Sequence, residues 1–329
     1  MILIFSLFWA NISIAEPTCT APAFSVFNIE IDDIAKVGEQ AREIGIEKAT
    51  KAAFKVILHR LLVDEKQADS LAANQTAADF LDYLHIHNET TLARRYIGEI
   101  DFCFNPSEIR SLFRQSNLAW AELISPAILI MPIWKEASGA VVWSADNKLL
   151  NEWQEHLKTY DGLLSFTTIN PDIKTERLLN EDAIFNQDKP SLRAAIQVAQ
   201  AAQLLTVIAE IDHSNAIPTL KFSASLFDSK AQLITNLGEQ THRLNGINNM
   251  LVLFDAFQFE LISELELFWK KRNQISTLSE STIIVSVPAA NLAEWRSIQS
   301  ILSDMPVVRT MTPQTLTQVN GVIKLVLAG

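Results

Sequence analysis

The chain has 329 residues, 48% of them hydrophobic and 20% charged, a formal charge of −11, and only 9 glycines and 11 prolines. That composition excludes a disordered or fibrous chain and supplies apolar surface for two or three domains. An acidic balance of this size repels phosphate, which argues against nucleic acid as a partner.

The opening "MILIFSLFWANISIA" is uncharged and would be only about 20 Å long as a helix, too short for a hydrocarbon core of about 30 Å. Ser13 and Ala15 place small residues at the −3 and −1 positions of a cleavage site, and Glu16-Pro17 ends any helix beyond them. Residues 1–15 therefore read as a signal peptide, with an uncut anchor or a buried N-terminal strand as the alternatives. The reading sends the mature chain, beginning at Glu16, to the periplasm or cell envelope. Cys19 does not read as a lipidation site, because Thr18 rather than a small residue precedes it. No later window reads as a transmembrane span: the most apolar, from Met250, contains Asp255, Glu260, Glu264 and Glu266.

A first module is expected over 16–118. Phe27, Ile29 and Ile31 alternate in a strand ended by Asp32 and Asp33, which read as N-cap and dipole partners of a helix over 34–62. In that helix Ala41, Gly45, Ala49 and Ala53 recur every four positions, so one face can lie close on a sheet, widened by Ile44, Ala52, Val56 and Ile57. Two strands follow, over 82–88 and 95–104, the second with Tyr96, Ile100, Phe102 and Phe104 on one face. Asn105-Pro106-Ser107-Glu108 then starts a short helix.

The next unit, 119–275, opens with "AILIMPIW", a continuous apolar run suited to a strand covered on both faces. Helices are expected over 146–157, 172–185 and 191–203, and a strand over 163–169. Adjoining strands over 204–211, 220–227 and 232–242 lead into a long helix over 248–272. The apolar stripe of that helix is Met250, Phe254, Phe257, Leu261, Leu265 and Phe268. This is a βαβ start with a meander finish.

A last module, 276–329, repeats the order of the first: strand "TIIVSVP", a helix over 292–302, a strand from Val307, and a strand over 322–327 after the hairpin signal Asn320-Gly321. The fold class is α/β (α+β), with two strand-helix-hairpin modules around a larger mixed unit.

Several stretches resemble the exported proteobacterial family catalogued as domain of unknown function 2066: "AREIGIEKATKAAFKVILHRLL", "YIGEIDFCFNPSEIRSLF", "SPAILIMPIW" followed by "VVWSADNKLLNEW", and "VVRTMTPQTLTQVNGVIKLVLAG". The resemblance covers nearly the whole mature chain. It implies a further helix and strand after Gly329, so the last module reads as incomplete, and it implies no catalytic residue. At the level of topology, the middle unit also resembles the amino-terminal domain of TolB and the lipoprotein activators of cell-wall synthases, which are envelope interaction modules.

Candidate chemistry is sparse. In "HIHNE", His85, His87 and Glu89 would share one face of a strand and could hold a zinc with one position open, although solvated strand residues read the same way. Trp120, Trp134, Trp143 and Trp153 could stack on sugar rings. Trp134 and Trp153 sit at core spacing, which leaves Trp143 as the exposed candidate for glycan binding. Arg94 and Arg95 could grip an anion, or could be a solvated strand end. There is no G-x-S-x-G, G-x-G-x-x-G, P-loop or C-x-x-C, so no cofactor is expected.

The only two cysteines, Cys19 and Cys103, would meet in an oxidising compartment if the 95–104 strand lies centrally and antiparallel to the first. The alternative is a buried Cys103 and an unbonded Cys19. The function expected is non-catalytic binding of another envelope protein, since open sheet edges can accept a partner's strand. Glycan binding, peptidoglycan in particular, is the second reading and metal-dependent hydrolysis the third.

Overall fold

The structure, a computed structural model, describes residues 19–328 apart from 138, 144–146, 170–178, 215, 245–246, 277–278 and 318–319. The expected signal peptide, its cleavage point and much of the helix expected over 172–185 lie outside the described residues. These form a mixed α/β fold with three sheets. They divide into two compact units, one made of the residues up to Ile57 with Asn74–Ile109, the other of Leu58–Ala73 with the residues from Arg110 on. Among the described residues no helix is long and apolar enough to cross a membrane.

In the first unit, β1 (Ser25–Ile34), β2 (Leu81–Thr91) and β3 (Arg95–Phe104) form an antiparallel sheet in the order β1-β3-β2, with β3 central as expected. The helix α1 (Gly38–Leu61) covers one face. A Cβ on Gly45 would come within 2.6 Å of Ile31, so the Ala41-Gly45-Ala49-Ala53 stripe does carry the close approach. Its widening differs from expectation: Ala52 and Val56 are exposed, and Phe54 and Leu58 take the inward positions. The alternation expected in β1 also breaks. Asn28 has φ +55° at a bulge between Val26 and Ile29, which turns Phe27 outward to 44% exposure. On β3, Tyr96, Ile100, Phe102 and Phe104 are buried together, as their spacing requires.

The connection from α1 to β2 contains α2 (Glu65–Asn74), which the periodicity did not signal, and a 3-10 turn, Ala77–Phe80. After β3, Asn105 Oδ1 accepts from the Ser107 and Glu108 amides and caps α3 (Pro106–Gln115) as expected.

The second unit is built on β4 (Ile128–Glu136), whose alternate side chains serve two cores. Ile128, Ile130 and Trp134 face one core with α4 (Lys148–Thr159), while Leu129, Met131 and Ile133 face the other. The second core is closed by α5 (Glu181–Phe185) and α6 (Lys189–Val198). That double coverage explains the unbroken apolar run.

The strand β5 (Gly139–Val141) pairs antiparallel with β4, the two-residue β6 (Phe166–Thr167) pairs parallel with it, and β7 (Gln203–Asp212) runs parallel along its other edge. The expected 163–169 strand thus shrinks to two paired residues. The meander continues through β8 (Thr219–Asp228) and β9 (Leu233–Arg243), where Gly238, at φ +60°, is the extra residue of a bulge. The long helix α7 (Ile247–Asn273) lays Met250, Phe254, Phe257, Leu261 and Leu265 into the first core, and Phe257 stacks on Phe222 at 4.4 Å.

The chain then forms β10 (Glu280–Pro288), α8 (Leu292–Asp304), β11 (Val308–Leu316) and β12 (Asn320–Ala328), with sheet order β10-β12-β11. This repeats the topology of β1, α1, β2 and β3. Asn320 and Gly321 do not form the turn that their pairing signals; both lie in β12, opposite Pro288 and Val287. Gly321 is small because Trp295 packs on it, with the ring 1.9 Å from where a Cβ would stand.

Candidate functional site

A cavity of about 630 Å³ in the first unit is an open groove between α1 and β2. The Ala41-Gly45-Ala49-Ala53 stripe of α1 is spent against the sheet, so the neighbouring stripe of Arg42, Ile46 and Thr50 is left facing Ala77, Leu81 and Leu84 across a gap. Ile46, Leu81 and Leu84 remain half-buried. Charge is confined to the rim, where Arg42 Nε donates to Glu89 at 3.0 Å and Lys51 to Glu47 at 2.6 Å, and Glu43 adds a further carboxylate. Beside the groove β2 is an edge strand, with β3 its only strand partner among the described residues. Sequence spacing located the helix and most of the strand but not the gap between them.

The three residues of the "HIHNE" candidate are not brought together. A bulge between Ile86 and Asn88 adds one residue to β2 and reverses the parity after His87. His85 and His87 share the outer face with ring centroids 4.5 Å apart, and His87 Nε2 meets Asp101 Oδ2 at 2.7 Å. Glu89 turns to the helix face, where it accepts from Arg42 and, at 2.9 Å, from the Tyr96 hydroxyl. These two donors hold the Glu89 carboxyl below its ordinary value, Arg42 most of all. Burial pushes the Tyr96 phenol up, and Glu89 adds to the shift. No three His, Cys, Asp or Glu side chains converge as ligands among the described residues.

Arg94 and Arg95 are both engaged within the fold. Arg94 Nε donates to the Ala35 carbonyl at 3.3 Å, and Arg95 grips Asp32 with two bonds, at 2.7 and 2.5 Å. The Arg95 bonds hold the Asp32 carboxyl below its ordinary range. Asp32 and Asp33 are not helix caps, because β1 runs on through both and α1 begins only at Gly38. Asp33 instead pairs with Lys48 of α1.

The tryptophans form no exposed platform. Trp120, Trp134 and Trp153 are at most 2% exposed, and Trp143, the expected exposed member, is 8% exposed. Its indole N–H points at the Leu179 carbonyl at 3.4 Å and its ring lies in the core closed by α5 and α6, because Glu181 draws in the Val142 and Trp143 amides. Cys19 and Cys103 are joined in a disulfide with Cα atoms 5.6 Å apart.

One polar cluster in the second unit carries no sequence motif. Glu266 of α7 accepts from the Tyr160 hydroxyl and, at 3.0 Å, from the Leu163 amide, and it pairs with Lys270 at 3.3 Å. Lys270, 8% exposed, also donates to the His59 carbonyl at 2.7 Å. The buried Arg60 meets the Asp161 carboxylate and, at 3.0 Å, its carbonyl. Burial drives the Tyr160 phenol well above its ordinary value, with the Glu266 charge adding to it. It also raises the Asp161 carboxyl, against the pull of Arg60. Every member is committed to a neighbour in the fold, so the cluster works as a clamp.

No family model matches the chain, and no curated protein matches it. Among solved structures it is similar to the lipoprotein GNA1162 from Neisseria meningitidis, 12% identical over 42% of this chain and 99% of that one, with a TM-score of 0.28. It is similar also to the hypothetical protein CT253 from Chlamydia trachomatis, 11% identical over 43% and 96%, TM-score 0.28. The LpoB C-terminal domain from Salmonella enterica is 11% identical over 42% and 94%, TM-score 0.23. None of these likenesses is close enough to carry an argument about function.

Proposed function

We propose that this chain is an exported, non-catalytic protein of the cell envelope, akin to the family catalogued as domain of unknown function 2066, that binds another envelope protein through the groove between α1 and β2. The observation that carries the reading is the groove itself, with apolar walls at Ile46, Leu81 and Leu84, charge kept to the rim where Arg42 and Lys51 are each paired with a carboxylate, and an edge strand alongside. Such a surface rewards an apolar segment and offers nothing to a reacting group. The disulfide agrees with an oxidising compartment, as does the uncharged opening of the chain. Glycan binding has lost its platform, since its tryptophans are core. The test places a photo-crosslinking amino acid at Leu84 in cells: one discrete adduct with an envelope protein, abolished by Ile46→Glu, supports the reading. No adduct, or an adduct indifferent to Ile46→Glu, overturns it.

A further inference from the structure

We infer that the free edge of β10 is a self-association surface, at which two copies of this chain pair antiparallel and join their C-terminal three-stranded sheets into one of six strands. This surface is separate from the groove. The strand pairs with β12 over all of Glu280–Pro288 without a bulge, and among the described residues nothing pairs with its other side. Edge strands are ordinarily protected by a lysine, an inward charge, a bulge or an interior proline. β10 has none of these between Ser281 and Val287, and Pro288 stands only at its end. Instead it presents Ile283 and Ile284, 41% and 68% exposed.

A second copy is the occupant that the strand's own sequence fits. A two-fold axis at Ile284 sets Ile283 opposite Val285, Thr282 opposite Ser286, Ser281 opposite Val287 and Glu280 opposite Pro288. The one charge in the strand thus meets an uncharged residue and is already held by Arg309 of its own chain. At the centre of the pair β-branched residues face one another, Ile284 opposite its own copy and Ile283 opposite Val285, a favourable cross-strand arrangement. On the helix side Ile283, Val285 and Val287 of both copies would form one continuous apolar strip.

Nine paired residues give a contact about 30 Å long. Strand pairing alone falls short of the roughly 800 Å² per partner of a standard interface, so the dimer should be a concentration-dependent equilibrium. Each copy carries −11, so added salt should strengthen the association.

The test uses the full chain. Ile284→Cys should give a covalent dimer on mild oxidation, because position 284 faces its own copy across the axis, whereas Ser300→Cys, on an exposed position of α8, should give none. In sedimentation, the wild type should shift from monomer towards dimer with concentration and further with salt. Ile284→Lys should stay monomeric with an unchanged circular dichroism spectrum. A wild type that sediments as monomer at every concentration would assign the edge to some other strand and overturn the inference. Equal cross-linking of both cysteine variants, or undiminished association of Ile284→Lys, would also overturn it.

Discussion

His87 and Glu89 stand two positions apart in one strand and face opposite sides of the sheet: His87 meets Asp101 on the outer face, and Glu89 accepts from Arg42 and Tyr96 beneath α1. The bulge between Ile86 and Asn88 separates them. A three-ligand zinc site in "HIHNE" is therefore a coincidence of letters. Purified protein should contain no stoichiometric metal by mass spectrometry, and a chelator should leave its melting temperature unmoved. His85→Ala with His87→Ala should cost no more than about 1 kcal/mol, the scale of substitutions at exposed polar positions.

The Glu89 carboxyl, held low mainly by Arg42 and then by Tyr96, gives the first unit an acid-sensitive contact. A depressed carboxyl contributes stability above its unfolded value. That contribution disappears as pH falls through the lower folded value. Glu89→Gln should flatten this part of the acid-unfolding curve, followed by near-ultraviolet circular dichroism. Tyr96→Phe removes a buried donor and should cost about 1 kcal/mol in urea unfolding.

The clamp around Glu266 should behave as a buried network. Glu266→Ala leaves the Lys270 charge and the Tyr160 hydroxyl without their shared acceptor and should cost about 3 to 5 kcal/mol. Because burial raises the Tyr160 phenol, its contribution is complete below the unfolded value of about 10 and is lost as pH rises towards the folded value. Tyr160→Phe should therefore lessen the steepness of alkaline unfolding above pH 10, whatever it does to stability at neutrality.

The disulfide closes a stretch 84 residues apart in sequence, from Cys19 to Cys103 in the middle strand. Unreduced, denatured protein should bind no thiol reagent, and two thiols should appear after reduction. Cys19→Ser with Cys103→Ser should lower stability by up to about 4 kcal/mol in the chain-entropy account.

Gly321→Ala drives a methyl group into the Trp295 ring and should loosen the C-terminal module by about 1 to 3 kcal/mol. Hydrogen exchange should report it, with protection falling in β10 and β12 while β4 and β7 are unchanged.

Elements were legible wherever a side chain's neighbours are set by local period. The stripe of α7, the double-sided run of β4, the Asn105 cap and the Tyr96-to-Phe104 face all follow from 3.6-residue and two-residue repeats, and the cysteine pair followed from strand order and compartment. Period fails where one inserted residue reverses parity. The bulges at Asn28 and after Ile86 turned Phe27 outward and Glu89 inward, and neither residue announces a bulge in the sequence. Contacts made at long range escape it as well: Trp143 was drawn into a core by Glu181, and Lys270 by a carbonyl 211 positions away. The groove belongs to this second class. Its walls are ordinary helix and strand residues, and the gap exists because α1 rests its small-residue stripe on β1 and leaves β2 partly bare.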